Sequence, residues 1–139
     1  AQILAFSGAA RGLMAFTKAL PMAPIFIVMA MQAVMLFLGM FVGIVPLIMI
    51  CTPVFFPLVK ALGFDKIWFG LLMLINLEMA QTTPPFGMLL FVMKGVAPEG
   101  TTMGDIYKAG IPFLICDLIV MALVVASPGL ALWLPNLMR

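Results

Sequence analysis

Gln81-Thr82-Thr83-Pro84-Pro85-Phe86-Gly87 interrupts an apolar run, and its reading decides how the rest of the chain is arranged. Two successive prolines cannot continue an α-helix, because each lacks an N–H and its ring collides with the carbonyl four residues back. The carbonyls of Ala80 and Gln81 therefore lose their helical partners. Pro84 also drives Thr83 out of helical geometry, so the spacing predicts a break at Thr83-Pro84. In a bilayer, freed backbone groups are tolerated only where protein or a watery cavity satisfies them. The stretch is thus a candidate ion or substrate site within a membrane chain.

Composition sets that membrane context. Of 139 residues, 65% are hydrophobic and 9% charged, and the mean hydropathy is +1.29, far outside the range of soluble domains. The formal charge of +2 does not point to nucleic acid. With no histidine, imidazole catalysis and most zinc or haem sites are excluded. Cys51 and Cys116 sit deep in apolar segments without ligand spacing and are expected as small buried hydrophobes. No nucleotide loop, catalytic dyad or nucleophile elbow occurs, so neither an enzyme nor an organic cofactor is expected. The chain opens Ala1-Gln2-Ile3-Leu4, without a Met or a basic region before a short apolar core, which reads as a piece of a longer protein.

Residues 1–22 place Leu13, Phe16 and Leu20 on one helical face, with Arg11 and Lys18 able to reach headgroups, and predict an interfacial amphipathic helix. Residues 19–59 then contain no charge. As one helix these 41 residues would reach roughly 60 Å, about twice the hydrocarbon thickness. Gly39, Gly43 and Pro46 supply a reversal. Two tilted spans and a re-entrant hairpin both fit; the absence of any polar residue at the tip favours the hairpin, over 23–62. Thr52-Pro53 and Pro57 read as tolerated kinks in its second arm. Lys60, Asp65 and Lys66 around Gly63 mark a return to the interface, with Trp68 expected there.

Residues 63–94 form the broken transmembrane helix. Asn76 and Thr83 share one face, and Glu78, Gln81 and Thr82 lie nearly opposite, so this helix must be surrounded by protein or line a cavity. Glu78 is an intramembrane carboxylate, costing on the order of 3 kcal/mol unless paired or neutralised. Residues 95–110 read as a polar connector with a short helix, capped by Thr101 or Thr102 and ending at Gly110. Pro112 opens the last span, and 111–139 is a transmembrane helix with an interfacial tail. Asp117 is expected near enough to the helix end to reach the interface.

Leu38-Gly39-Met40-Phe41, Thr52-Pro53 with Pro57, Gly63-Phe64-Asp65-Lys66-Ile67-Trp68-Phe69-Gly70, Asn76, Thr83-Pro84-Pro85-Phe86-Gly87 and Ile111-Pro112-Phe113-Leu114 follow one another in an order that resembles the C-terminal part of the large membrane subunit of tripartite ATP-independent periplasmic (TRAP) transporters. The resemblance implies an all-α integral membrane protein of the bacterial inner membrane, multi-pass, forming the second inverted repeat of an elevator-type carrier. It further implies sodium-driven uptake of organic acids such as dicarboxylates or sialic acid. Sodium would be held by oxygens near Gln81, Thr82, Thr83 and Pro84 and by the hairpin tip at Gly43. Asn76 and Thr83 would face the substrate. The implied partners are the remaining N-terminal part of the large subunit, a small membrane subunit, a periplasmic substrate-binding protein and the lipid bilayer, with no nucleic acid.

This chain departs from the family pattern at the tip, where Gly43 stands in the position of a usual acid and Ile44-Val45-Pro46 follow. The apolar tip motivates an alternative: a permease-derived accessory subunit packed against an unrelated larger membrane complex. Orientation has two readings. Arg11, Lys18, Lys60, Lys66 and Arg139 against Lys94 and Lys108 put the hairpin mouth in the cytoplasm by the positive-inside rule. The resemblance implies that it opens to the periplasm.

Overall fold

A computed structural model describes Gly12 and residues 23–138. The amphipathic helix expected over 1–22, Gly12 apart, and the terminal Arg139 lie outside the described residues. Within them the chain is helical throughout, with no strand: α1 (Pro24–Gly39), α2 (Ile44–Ala61), α3 (Lys66–Thr82), α4 (Met88–Val96), α5 (Met103–Ala126) and α6 (Pro128–Leu137).

Local chemistry sets the helix ends. Pro24 starts α1, where a missing N–H costs nothing. Gly63, at φ +84°, ends α2. Its N–H reaches Lys60 at 3.1 Å and that of Phe64 reaches Val59 at 3.1 Å, the paired bonds of a Schellman motif. Asp65 caps α3 by accepting from the Ile67 amide at 2.7 Å. At α5, Thr102 and Asp105 form a reciprocal capping box. α2 continues through Pro53 and Pro57, as expected of tolerated kinks.

α3 is the axis of the molecule and packs against each of the other five helices. α1 presents Val28, Met31, Gln32 and Met35 to it, a stripe at helical spacing, and α2 adds Leu47, Cys51, Phe55 and Leu58. Phe55 and Phe56 both meet Phe69 edge-on, with centroids 6.5 and 5.7 Å away. α1 and α2, joined by Met40–Gly43, lie on one side of this axis, and α4 and α5 line a cavity on another.

Ile44–Ala61 and Met103–Ala126 are long and apolar enough to cross a membrane. α5 buries only Ile106 and Val124 and exposes Phe113, Ile115, Leu118, Ile119 and Leu123, a face suited to lipid or to further protein.

Four expectations change. The short helix ending at Gly110 and the span opening at Pro112 are one continuous 24-residue helix, because Pro112 removes a single backbone bond and its neighbours carry the helix on. Asp117 consequently lies mid-helix, not near an end. Trp68 is 2% exposed and turned into the protein instead of toward headgroups: its indole N–H donates to the Val124 carbonyl at 2.8 Å, and its ring stacks on Phe64. Cys51 is buried as expected, but Cys116 is exposed on the outer side of α5.

Candidate functional site at the helix break

The break falls where the prolines require it. α3 ends at Thr82, and Thr83 is extended, with φ −83° and ψ 123°, as the residue before a proline should be. The Pro84–Pro85 bond is cis. Pro84 and Pro85 carry no N–H, so the carbonyls of Ala80 and Gln81 have no i+4 donor. The threonine hydroxyls turn inward: Thr83 Oγ1 donates to the Met79 carbonyl at 2.6 Å, and Thr82 Oγ1 donates to the same carbonyl at 3.1 Å. Both hydroxyl oxygens keep lone pairs that can accept or coordinate.

Gly87 closes the loop. Its amide donates to the Thr83 carbonyl at 3.0 Å, and a Cβ built on it would stand 2.4 Å from the Gln81 carbonyl oxygen and 3.0 Å from that of Thr83. Only glycine permits this approach. The C-terminal carbonyls of α3 and the N-terminal amides of α4 therefore meet across five residues, which places the negative end of one helix beside the positive end of the next. Tyr107 of α5 donates its hydroxyl to the Pro85 carbonyl at 3.2 Å and anchors the far side of the break.

The hairpin tip abuts this break. Gly39 packs so tightly that an added Cβ would lie 2.6 Å from Cβ of Ala80. Gln81 donates from Nε2 to the Gly39 carbonyl at 3.3 Å. The Phe41 and Phe86 rings lie 4.8 Å apart, joining tip to break once more. Of the residues expected to act together, Gln81, Thr82, Thr83 and Pro84 are contiguous at the break. Gly43, by contrast, is the N-cap of α2, and a Cβ there would touch only Pro46. Gly39 and Phe41 make the tip's contacts.

Asn76 lies two turns earlier and is 2% exposed. Its Nδ2 donates to the Gln32 backbone carbonyl at 2.8 Å and to Gln32 Oε1 at 2.7 Å, locking α3 to α1. Among the described residues, Gln32 Nε2 and Asn76 Oδ1 have no partner. Sequence reading missed Gln32, although it is the sole amide in the uncharged run and was the natural complement to Asn76. It also missed Tyr107, whose contact spans 22 residues and leaves no local signal. The predicted grouping of Glu78, Gln81 and Thr82 separates: Gln81 turns to the tip, while Glu78 and Thr82 line a cavity with α4 and α5.

An all-helical chain in which a proline break is pressed against a glycine-tight helical hairpin has the kind of discontinuous helix that many membrane transport proteins use. The description "Tripartite ATP-independent periplasmic transporter, DctM component" matches residues 1–130, and the chain is a member of that family. It is 34% identical over 117 residues to the C4-dicarboxylate TRAP transporter large permease protein DctM of Pseudomonas aeruginosa, covering 84% of this chain and 27% of that protein. It is 36% identical to the uncharacterized protein YgiK of Salmonella typhimurium, over 80% of this chain and 25% of that one. With the sialic acid TRAP transporter permease protein SiaT of Haemophilus influenzae it shares 30% identity, over 83% and 18% respectively. The chain thus spans about a quarter or less of the length of these relatives. No solved structure matches it. The family is one of transporters and not of enzymes.

Proposed function

We propose that this chain supplies one half of the ion and substrate site of a sodium-coupled TRAP permease for organic acids, in the bacterial inner membrane. The observation that carries this reading is the contact of tip and break: Gln81 bonded to Gly39, with the Ala80 and Gln81 carbonyls deprived of helical donors beside it. A small monovalent cation needs oxygen ligands in number more than net charge, and carbonyls at a half-helix end meet that need. Sodium, as the co-transported ion, is assigned to the oxygens of Gln81, Thr82, Thr83 and Pro84, with the tip through Gly43 completing the shell. Thr83 faces the organic acid. Asn76, sequestered against Gln32, holds the hairpin arm to the broken helix and reaches substrate only if that contact opens.

α1, 16 residues long, extends about 24 Å, short of a roughly 30 Å hydrocarbon core, which suits a re-entrant hairpin. In this reading the hairpin and broken helix move as a unit in an elevator carrier. They work with the rest of the large subunit, a small membrane subunit and a periplasmic binding protein. The relatives with a named role are TRAP transporter permeases and give no support to an accessory subunit of an unrelated complex. The test is sodium-driven uptake of a labelled C4-dicarboxylate or sialic acid by the full assembly. Replacing Pro84 and Pro85 together by Ala is expected to lower uptake more than tenfold; unchanged uptake removes the break from the site.

A further inference from the structure

We propose that the cavity between α3, α4 and α5 is the docking surface for a membrane helix from the rest of the large subunit, a helix carrying a lysine or arginine opposite Glu78 and Asp117. The inference rests on the reading that this chain works joined to that remainder. It does not depend on sodium occupying the break.

The cavity measures about 780 Å³. Its wall is mainly apolar, yet it holds three carboxylates, Glu78, Asp105 and Asp117, and no basic side chain. Asp105 sits at the start of α5 and is engaged by Thr102, which donates to it from its amide at 2.9 Å and its hydroxyl at 2.7 Å. Asp117 is twelve residues further on, about 18 Å along the helix. Glu78 lies about one turn before the C-terminal end of α3, beside the break, with its side chain exposed to the cavity. Glu78 and Asp117 are the polar groups an occupant must answer, because acidic side chains within a membrane span call for a partner.

That charge selects among occupants. An anionic headgroup or an organic acid is repelled by these carboxylates, and a lipid acyl chain offers them no positive group, so none of these suits the wall. A helix with one basic side chain pairs with the acids while its apolar face covers the rim, where Phe113 is 70% and Val96 76% exposed. About three-quarters or more of the relatives' length lies outside this chain, ample to supply such a helix.

The test is photo-crosslinking in native membranes holding the full large subunit, with benzoylphenylalanine placed at Phe113 and, separately, at Val96. Both side chains are exposed, so neither replacement disturbs the core. The expected adducts map to one apolar segment of the large subunit outside residues 1–139, with a Lys or Arg within a helical turn. Their yield falls at least fivefold in the Glu78→Gln/Asp117→Asn double variant. Adducts on lipid, on the small subunit or on a second copy of these same residues overturn the proposal, as do no adduct at either position and a yield indifferent to the double variant. Uptake measured on the same membranes separates the two readings: lipid adducts with intact sodium-driven uptake refute the docking surface alone, while the expected adduct without sodium dependence refutes only the proposed coupling.

Discussion

Gln81 of the helix break donates a hydrogen bond to the carbonyl of Gly39 at the hairpin tip, 42 residues earlier in the chain, at 3.3 Å. One side chain thereby joins the irregular backbone of the break to the end of α1 at the tip. The contact is possible because Gly39 has no Cβ where Ala80 lies against it.

That closeness predicts a sharp response at Gly39. Gly39→Ala would set two Cβ atoms 2.6 Å apart, so α1 must move away from α3. Overpacking of this kind costs about 1–3 kcal/mol. Thermal unfolding of the purified large subunit is expected to show a melting point several degrees lower, and Ala80→Gly in the same chain should recover part of it.

The Gln32–Asn76 pair makes a second prediction. Gln32→Ala removes the Oε1 acceptor and leaves the buried Asn76 amide short of a partner, a loss of about 1–3 kcal/mol. Replacing both residues by Leu removes the buried polar groups together. The double variant should therefore be more stable than the sum of the two single losses implies, as a double-mutant cycle followed by thermal unfolding would reveal.

Trp68 and Trp133 are the two tryptophans of the chain, one 2% and the other 67% exposed. With Trp133→Phe as background, emission reports Trp68 and should be blue-shifted and shielded from aqueous quenchers. Trp68→Phe deletes the bond to Val124 and should lower stability by about 1 kcal/mol, loosening α5 from α3.

Much of this was readable from sequence wherever the cause is local. Pro84 and Pro85 dictate the break through a missing N–H, Gly63 marks the end of α2 through its backbone freedom, and Thr102 announces its helix start. The same punctuation misled at Pro112, where a proline that begins helices elsewhere is carried inside one. What depends on distant partners left no local trace. Trp68 resembles an interfacial aromatic until Val124 is placed beside it, and Gln32, Asn76 and Tyr107 gain meaning only once α1, α3 and α5 are packed. The break was legible; the close contact that Gly39 at the tip makes with it was not.

Gly87 ties the backbone of the break to its function. Gly87→Ala drives a methyl group into the Gln81 carbonyl, which must swing away from its present direction. Uptake by the full assembly is expected to fall more than tenfold, with protein abundance in the membrane little changed because the loop, not the core, is displaced.

The central claim is that oxygens at the break hold sodium, and Thr83 tests it most directly because its hydroxyl can be removed or kept with minimal change of shape. The measurement is the sodium concentration giving half-maximal uptake of a labelled organic acid by the reconstituted full transporter. Thr83→Ala should raise that concentration at least tenfold while Thr83→Ser stays within about twofold of the parent; the same sodium dependence in the parent and both variants would contradict the account.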